Sequence, residues 1–183
     1  MADRIKRFET VALPHLDAAY NLARWLTRDP HDAEDVVQEA YLRALRFFDG
    51  LREGDARPWL LTIVRHVCYD WIRKNRPQEV VGDIEEEELR ERADTESSYG
   101  QNPETQLLRA ADRAMVNRAI EALPVAFREV LILREMEELS YDQIAAVAGV
   151  PIGTVMSRLS RARAMIRKAV EGHEKRAQER TQP

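Results

Sequence analysis

A chain of 183 residues with 44% hydrophobic side chains can bury one medium core or two small ones, and few glycines and prolines among many Ala, Leu, Arg and Glu predict an all-α protein. A lone cysteine, Cys68, excludes an intramolecular disulfide, and scattered histidines make a metal site unexpected. No apolar run suits a membrane helix and MADRIKRFET lacks a signal-peptide core, so a cytoplasmic protein without membrane insertion is expected.

The net charge of −4 hides an uneven distribution. Residues 1–76 hold 13 basic and 12 acidic side chains, residues 77–112 hold 3 and 11, and residues 113–183 hold 12 and 9. The acidity sits in the middle, and local charge decides where a polyanion can bind.

Residues 8–76 read as one helical unit. Leu13, Leu16, Tyr20, Ala23 and Leu26 repeat at helical spacing. Asp32 is the expected N-cap of a second helix, reaching Phe47, with Glu34 and Asp35 in its first turn. On that helix Asp35, Gln38, Glu39 and Leu42 fall on one side. Asp49-Gly50 opens a loop. A third helix is expected from Pro58 to Lys74, ended by Pro77. Its Trp59, Leu60, Ile63, Val67 and Trp71 serve burial or stacking, with core packing favoured for the two tryptophans. Residues 77–104 read as a flexible acidic linker, with a helical piece near Ile84–Arg92.

Residues 105–170 are expected to be helical again, followed by a polar tail at 171–183. Leu107, Leu108, Met115, Ile120 and Leu123 form one stripe, and Phe127, Val130, Leu131, Leu133 and Met136 begin the next. Ser140 and Gln143 form an S-x-x-Q capping box. Gly149 follows Ala145 by four and permits a sharp turn carried by Val150 and Pro151. Thr154 is expected to cap or open the next helix, which buries Val155, Leu159, Ala162 and Ile166. No acidic residue occurs between Gln143 and Val170, while five basic ones do. A solvated basic face alone would be unremarkable; with the capping box and the small-residue turn it predicts a helix-turn-helix on duplex DNA.

These motifs resemble those of bacterial RNA polymerase sigma factors of the extracytoplasmic-function group. Asp32-Ala-Glu-Asp-Val-Val-Gln-Glu-Ala-Tyr-Leu-Arg-Ala44 is similar to region 2.2 of that family, and Arg57-Pro-Trp-Leu-Leu-Thr-Ile63 through Lys74 to regions 2.3 and 2.4. Leu123-Pro-Val-Ala-Phe-Arg-Glu-Val-Leu131, Gly149-Val-Pro-Ile-Gly-Thr-Val155 and Ser157-Arg-Leu-Ser-Arg-Ala-Arg163 resemble region 4. The resemblance implies two small helical domains. The first, 8–76, binds core polymerase and opens the −10 element. The second, 105–170, reads the −35 element. It implies a core-binding patch of Asp35, Gln38, Glu39 and Leu42 for the clamp helices of the large polymerase subunit, with the polymerase flap as a further contact. For the −10 strand it implies Arg65, His66, Tyr69, Asp70, Arg73, Lys74 and Arg76, with the loop Asp49–Arg57. Tyr69 is the better stacking candidate. For the −35 duplex it implies Thr154, Val155, Ser157, Arg158, Arg161 and Arg163. It further implies promoter DNA and an anti-sigma factor as partners, a stress or envelope response, no cofactor and no catalytic site. Met156 departs from a commonly basic position, which leaves its base preference open.

Elements two helical turns apart on DNA are separated by roughly 70 Å. A flexible linker of about 30 residues has an r.m.s. span near 30 Å and an extended limit near 100 Å. The two domains are therefore expected to read a promoter together only when polymerase holds the linker stretched. The acidic run is also a candidate for keeping the free chain off DNA. An ordinary helix-turn-helix regulator explains 140–170 but leaves the first unit unexplained. A sigma mimic that binds an anti-sigma factor need not retain the DNA-facing arginines.

Overall fold

The structure, a computed structural model, describes residues 2–51, 54–81 and 106–181. Among them there are nine α-helices and no strand: α1 (Ala2–Ala12), α2 (Leu16–Thr27), α3 (Pro30–Phe47), α4 (Ala56–Asn75), α5 (Pro77–Val81), α6 (Gln106–Glu121), α7 (Val125–Glu135), α8 (Tyr141–Ala148) and α9 (Ile152–Thr181). The expected helical piece near Ile84–Arg92 lies outside the described residues.

Helices α2, α3 and α4 form the first bundle. Leu22, Ala23 and Leu26 of α2 meet Ala33, Val36, Ala40 and Ala44 of α3 and Leu60, Leu61, Val64, Cys68 and Ile72 of α4, all buried in one core. The alanines on α3 keep that helix close to its neighbours. Helix α1 was not anticipated from the sequence. Its Phe8 packs edge-on against Tyr41 and Phe48, with ring centroids 6.2 and 5.4 Å away. The Tyr41 hydroxyl donates to the Ala12 carbonyl at 2.9 Å, which fixes the end of α1 on α3. Leu13 and Leu16, expected in the apolar stripe, are exposed, because a single 3₁₀ turn at Leu13–His15 breaks the helical phase there.

The α3 N-terminus differs from the sequence expectation. Asp29, not Asp32, is the N-cap: its carboxylate accepts from the backbone N–H groups of His31 and Asp32 at 2.8 and 3.1 Å. Pro30 then takes the first helical position, where its missing N–H costs nothing. The preceding C-cap, Arg28, is left-handed at φ 61° without being glycine, a conformation costing roughly 1–2 kcal/mol. The Arg28 guanidinium recovers part of that cost through Glu79 and the Glu121 carbonyl. Its partner Glu79 lies on α5, so the stretch expected to be linker from residue 77 begins with a packed helical turn.

The second bundle is α6 to α9. Its helix-turn-helix is built as the capping box requires. The Ser140 hydroxyl accepts from the Gln143 N–H at 3.2 Å, and the Gln143 side-chain oxygen accepts from the Ser140 N–H at 2.9 Å. Gly149 ends α8 at φ 68°, a left-handed position where a side chain would be strained. Val155, Leu159 and Ala162 of α9 are buried against Ile144, Val147 and α7. Helix α9 starts at Ile152, so Thr154 lies inside its first turn and does not cap it. The helix continues through the polar tail to Thr181, a span of about 45 Å.

Helix α7 lies between the bundles. Every residue from Val125 to Leu133 is buried, including Arg128 and Glu129. A helix buried on all sides has no solvated face, so these two charges must find partners in the protein.

Candidate nucleic-acid interface

The first expected surface is open. Asp35, Gln38 and Glu39 are exposed on α3, and Leu42 is 56% exposed among them. An exposed leucine ringed by polar groups is suited to a protein partner. One charged chain runs from this patch toward α4. The Arg43 guanidinium donates to Glu39 at 2.7 Å and to Asp70 at 3.0 Å, and Asp70 also accepts from Arg73 at 3.1 Å. These two carboxylates hold the Arg43 charge above its ordinary range.

The α4 surface divides in two. His66, Asp70, Arg73 and Lys74 are exposed. Arg65 and Tyr69 instead face the second bundle, and Arg76 is half-buried against its own unit. The Arg65 Nε and the Tyr69 hydroxyl both donate to the Glu129 carboxylate, the latter at 2.7 Å, and the Arg65 guanidinium lies 4.2 Å over the Tyr69 ring. Tyr69 is only 7% exposed, so the expected stacking residue is covered in this conformation by α7. Arg76 donates to the Thr27 carbonyl at 2.8 Å and stands 5.1 Å from the Trp71 ring.

Glu129 is the electrostatic centre of this contact. Burial pushes its carboxyl above the ordinary carboxylate range, opposed by the Arg65 guanidinium and the Tyr69 hydroxyl. Burial also works against the Arg65 charge, but the Glu129 carboxylate more than offsets it and raises Arg65. Arg158 of α9 acts on the same carboxylate. Cys68, buried beside these groups, has its thiol pushed up by desolvation and is no nucleophile.

Other polar contacts close the same seam. Glu137, 6% exposed, accepts from Asn21 at 2.5 Å and from Arg57 at 2.6 Å. Gln143 of the capping box donates to Asp55 at 3.2 Å, the residue that caps α4. Buried Arg128 donates to Glu79 at 3.2 Å and to the Glu121 carbonyl at 2.8 Å. Burial, and then the neighbouring Arg28, lower the Arg128 pKa.

On α9, Thr154, Arg158 and Arg161 are half-buried, Ser157 and Arg163 are exposed, and Arg163 pairs with Glu135 at 2.5 Å. Val155 is 0% exposed. It belongs to the helix-turn-helix core and cannot touch a base edge, which corrects its place among the expected −35 residues. Met156, 53% exposed, presents an apolar side chain on the reading helix.

Sequence reasoning missed a concave site beside the α3–α4 loop. A cavity of about 440 Å³ is lined by Lys6, Arg7 and Thr10 of α1 with Phe48, Leu51 and Gly54. Its two cations, Lys6 and Arg7, suit a phosphate, whereas Phe48 is 6% exposed and belongs to the core. The cluster of Arg4, Lys6 and Arg7 was the available signal. Among the described residues no cluster of His, Cys, Asp and Glu suits a metal ion, and no helix is long and apolar enough to cross a membrane.

Comparison with known proteins agrees with this geometry. Residues 12–78 match the family model of sigma-70 region 2, and residues 113–166 match that of sigma-70 region 4. The RNA polymerase sigma-H factor of Pseudomonas aeruginosa is 33% identical over 180 residues, which cover 93% of this chain and 92% of that protein. The ECF RNA polymerase sigma factor SigE of Mycolicibacterium smegmatis is 34% identical over 159 residues; the match covers 87% of this chain but only 60% of that longer relative. Among solved structures, the sigma factor RpoE in complex with the anti-sigma factor NepR from Bartonella quintana superposes with a TM-score of 0.67 at 28% identity, covering 91% of this chain and 98% of that one. The ECF RNA polymerase sigma-E factor of Escherichia coli is 38% identical over 144 residues, which cover 76% of this chain and 74% of that protein. With the order of the two bundles, this shows that the chain belongs to the extracytoplasmic-function group of RNA polymerase sigma factors.

Proposed function

We propose that this protein directs core RNA polymerase to specific promoters in the cytoplasm, contributes no catalytic group of its own, and is held in check by an anti-sigma factor. In this reading residues 8–76 form the polymerase-binding and −10 unit, residues 105–170 the −35 unit, and the acidic stretch between them the linker. Asp35, Gln38, Glu39 and Leu42 dock on the clamp helices. His66, Asp70, Arg73, Lys74 and Arg76 meet the melted −10 strand, joined by Arg65 and Tyr69 once α7 has moved away. Lys6 and Arg7 beside the α3–α4 loop hold a backbone phosphate of that strand. Thr154, Ser157, Arg158, Arg161 and Arg163 face the −35 duplex. The reading is carried by one observation above the others: one chain presents an exposed leucine in an acidic patch on α3 and a basic helix without acidic residues in its reading turns on α9. An anti-sigma partner is supported by the complex in which the similar Bartonella protein was solved.

Run-off transcription with purified core polymerase tests the proposal. Adding this protein should produce a specific start on a cognate promoter that core alone does not give. No specific start across a promoter library would refute it.

A further inference from the structure

Met156 has no part in the function just described, although it stands in the second turn of the helix proposed to read the −35 duplex. It is 53% exposed. Gly153, Met156, Ser157 and Ser160 are all exposed, and their spacing puts them on one face of α9. From Ile152 to Ala164 every exposed position is small or apolar except Arg163, which is paired with Glu135. Arg158 and Arg161 flank this face and are half-buried. A Cβ at Gly153 would meet nothing within 4 Å, so the helix backbone is open to close approach from outside. Met156 is the long side chain on an otherwise low, uncharged surface.

The first turns of the second helix of a helix-turn-helix enter the major groove. Base edges there offer hydrogen-bond acceptors, hydrogen-bond donors and a single kind of apolar group, the C5-methyl of thymine. A thioether donates no hydrogen bond and accepts only weakly. It gains nothing from a guanine edge, whose N7 and O6 both need a donor. Its unbranched, polarizable chain packs well against a methyl group. We propose that Met156 is a specificity-determining residue of the upstream contact, and that it reads thymine by packing its thioether on the C5-methyl. The inference rests on the −35 role proposed above for α9. It divides the work of that helix: Arg158 and Arg161 supply charge, and Met156 selects an A·T pair at one position by excluding water from the methyl group.

Uracil is the probe, because it pairs as thymine does and lacks only the methyl group. The full chain is assembled with core polymerase, and a promoter duplex is taken from the library that gives a specific run-off start. Each thymine of the upstream element, on either strand, is replaced by uracil one position at a time. Holoenzyme binding is then measured by competition mobility shift. The uracil penalty is a ratio of two affinities of one protein, so a change in folded fraction cancels from it.

Wild type should lose about fourfold at one thymine, the scale of one methyl group left in water. Met156→Ala should bind the thymine duplex more weakly and show no uracil penalty at that position, so that the two changes do not add. Met156→Leu, which stays apolar, should keep part of the penalty. Met156→Arg should lose it and gain affinity for a duplex carrying guanine at that position. No uracil penalty in wild type at any upstream thymine would overturn the proposal, as would a penalty of equal size in Met156→Ala. Either result beside a persisting run-off start leaves the promoter role standing. Absence of any specific start would sink the promoter role and this contact with it.

Discussion

The exposed face of α3 and the inward face of α4 belong to the same three-helix core, yet they meet different surroundings. Asp35, Gln38, Glu39 and Leu42 face solvent, whereas Arg65 and Tyr69 face a buried carboxylate 64 and 60 residues downstream. The difference teaches that a helix face identified by its periodicity is not thereby free. Whether it is available depends on the other bundle, and here the second bundle covers α4 and spares α3.

The strongest way to break this contrast is to loosen the covering bundle from within. Leu159 is 1% exposed at the heart of the helix-turn-helix. Leu159→Ala should cost about 2–5 kcal/mol of stability in denaturant unfolding. Core-polymerase capture through α3 should survive at temperatures where −35 duplex binding is already lost. A smaller effect comes from Arg161→Ala, which should weaken −35 duplex binding by about 1–3 kcal/mol if the guanidinium makes a bidentate base contact. Electrophoretic mobility shifts would show it, and single-strand binding should not change. On the open face, Leu42→Asp should weaken binding to core polymerase by about 2 kcal/mol in a competition assay. Its melting temperature should stay near wild type, because Leu42 has little packing to lose. Ser140→Ala should cost about 1 kcal/mol by opening the capping box. Because Gln143 also bonds Asp55, that variant should slightly raise single-strand binding as well.

Much of this architecture was legible from the residues. The Ser140–Gln143 box, the Gly149 turn and the buried face of α9 follow from short-range spacing, and the structure has them, with Val155, Leu159 and Ala162 buried and Ile166 half-buried. The α3 patch was legible for the same reason. What escaped was long-range or locally ambiguous. Asp29 and Asp32 both offer a capping carboxylate, and only the position of Pro30 chooses between them. Helix α1 carries too few apolar residues to announce itself, because Phe8 does most of its packing. Val155 sits between partly exposed Thr154 and exposed Met156, so the expected −35 set took in a core residue. Glu129 was hardest to find. The run Val125–Leu133 is apolar apart from Arg128 and Glu129, which signals a helix buried all round, but nothing local names Arg65 and Tyr69 as partners.

The Glu39–Arg43–Asp70–Arg73 chain has a consequence for dissecting the two surfaces by mutation. Arg43 is a counter-ion shared between a residue assigned to polymerase and a residue assigned to DNA. Reversing the charge of Glu39 frees Arg43 for Asp70, and neutralising Asp70 returns it to Glu39. Neither substitution reports on one surface alone, and the two effects should not add. If Glu39 docks on polymerase and Asp70 meets the promoter strand, as proposed, a change selected to improve one contact will be felt by the other through a single guanidinium.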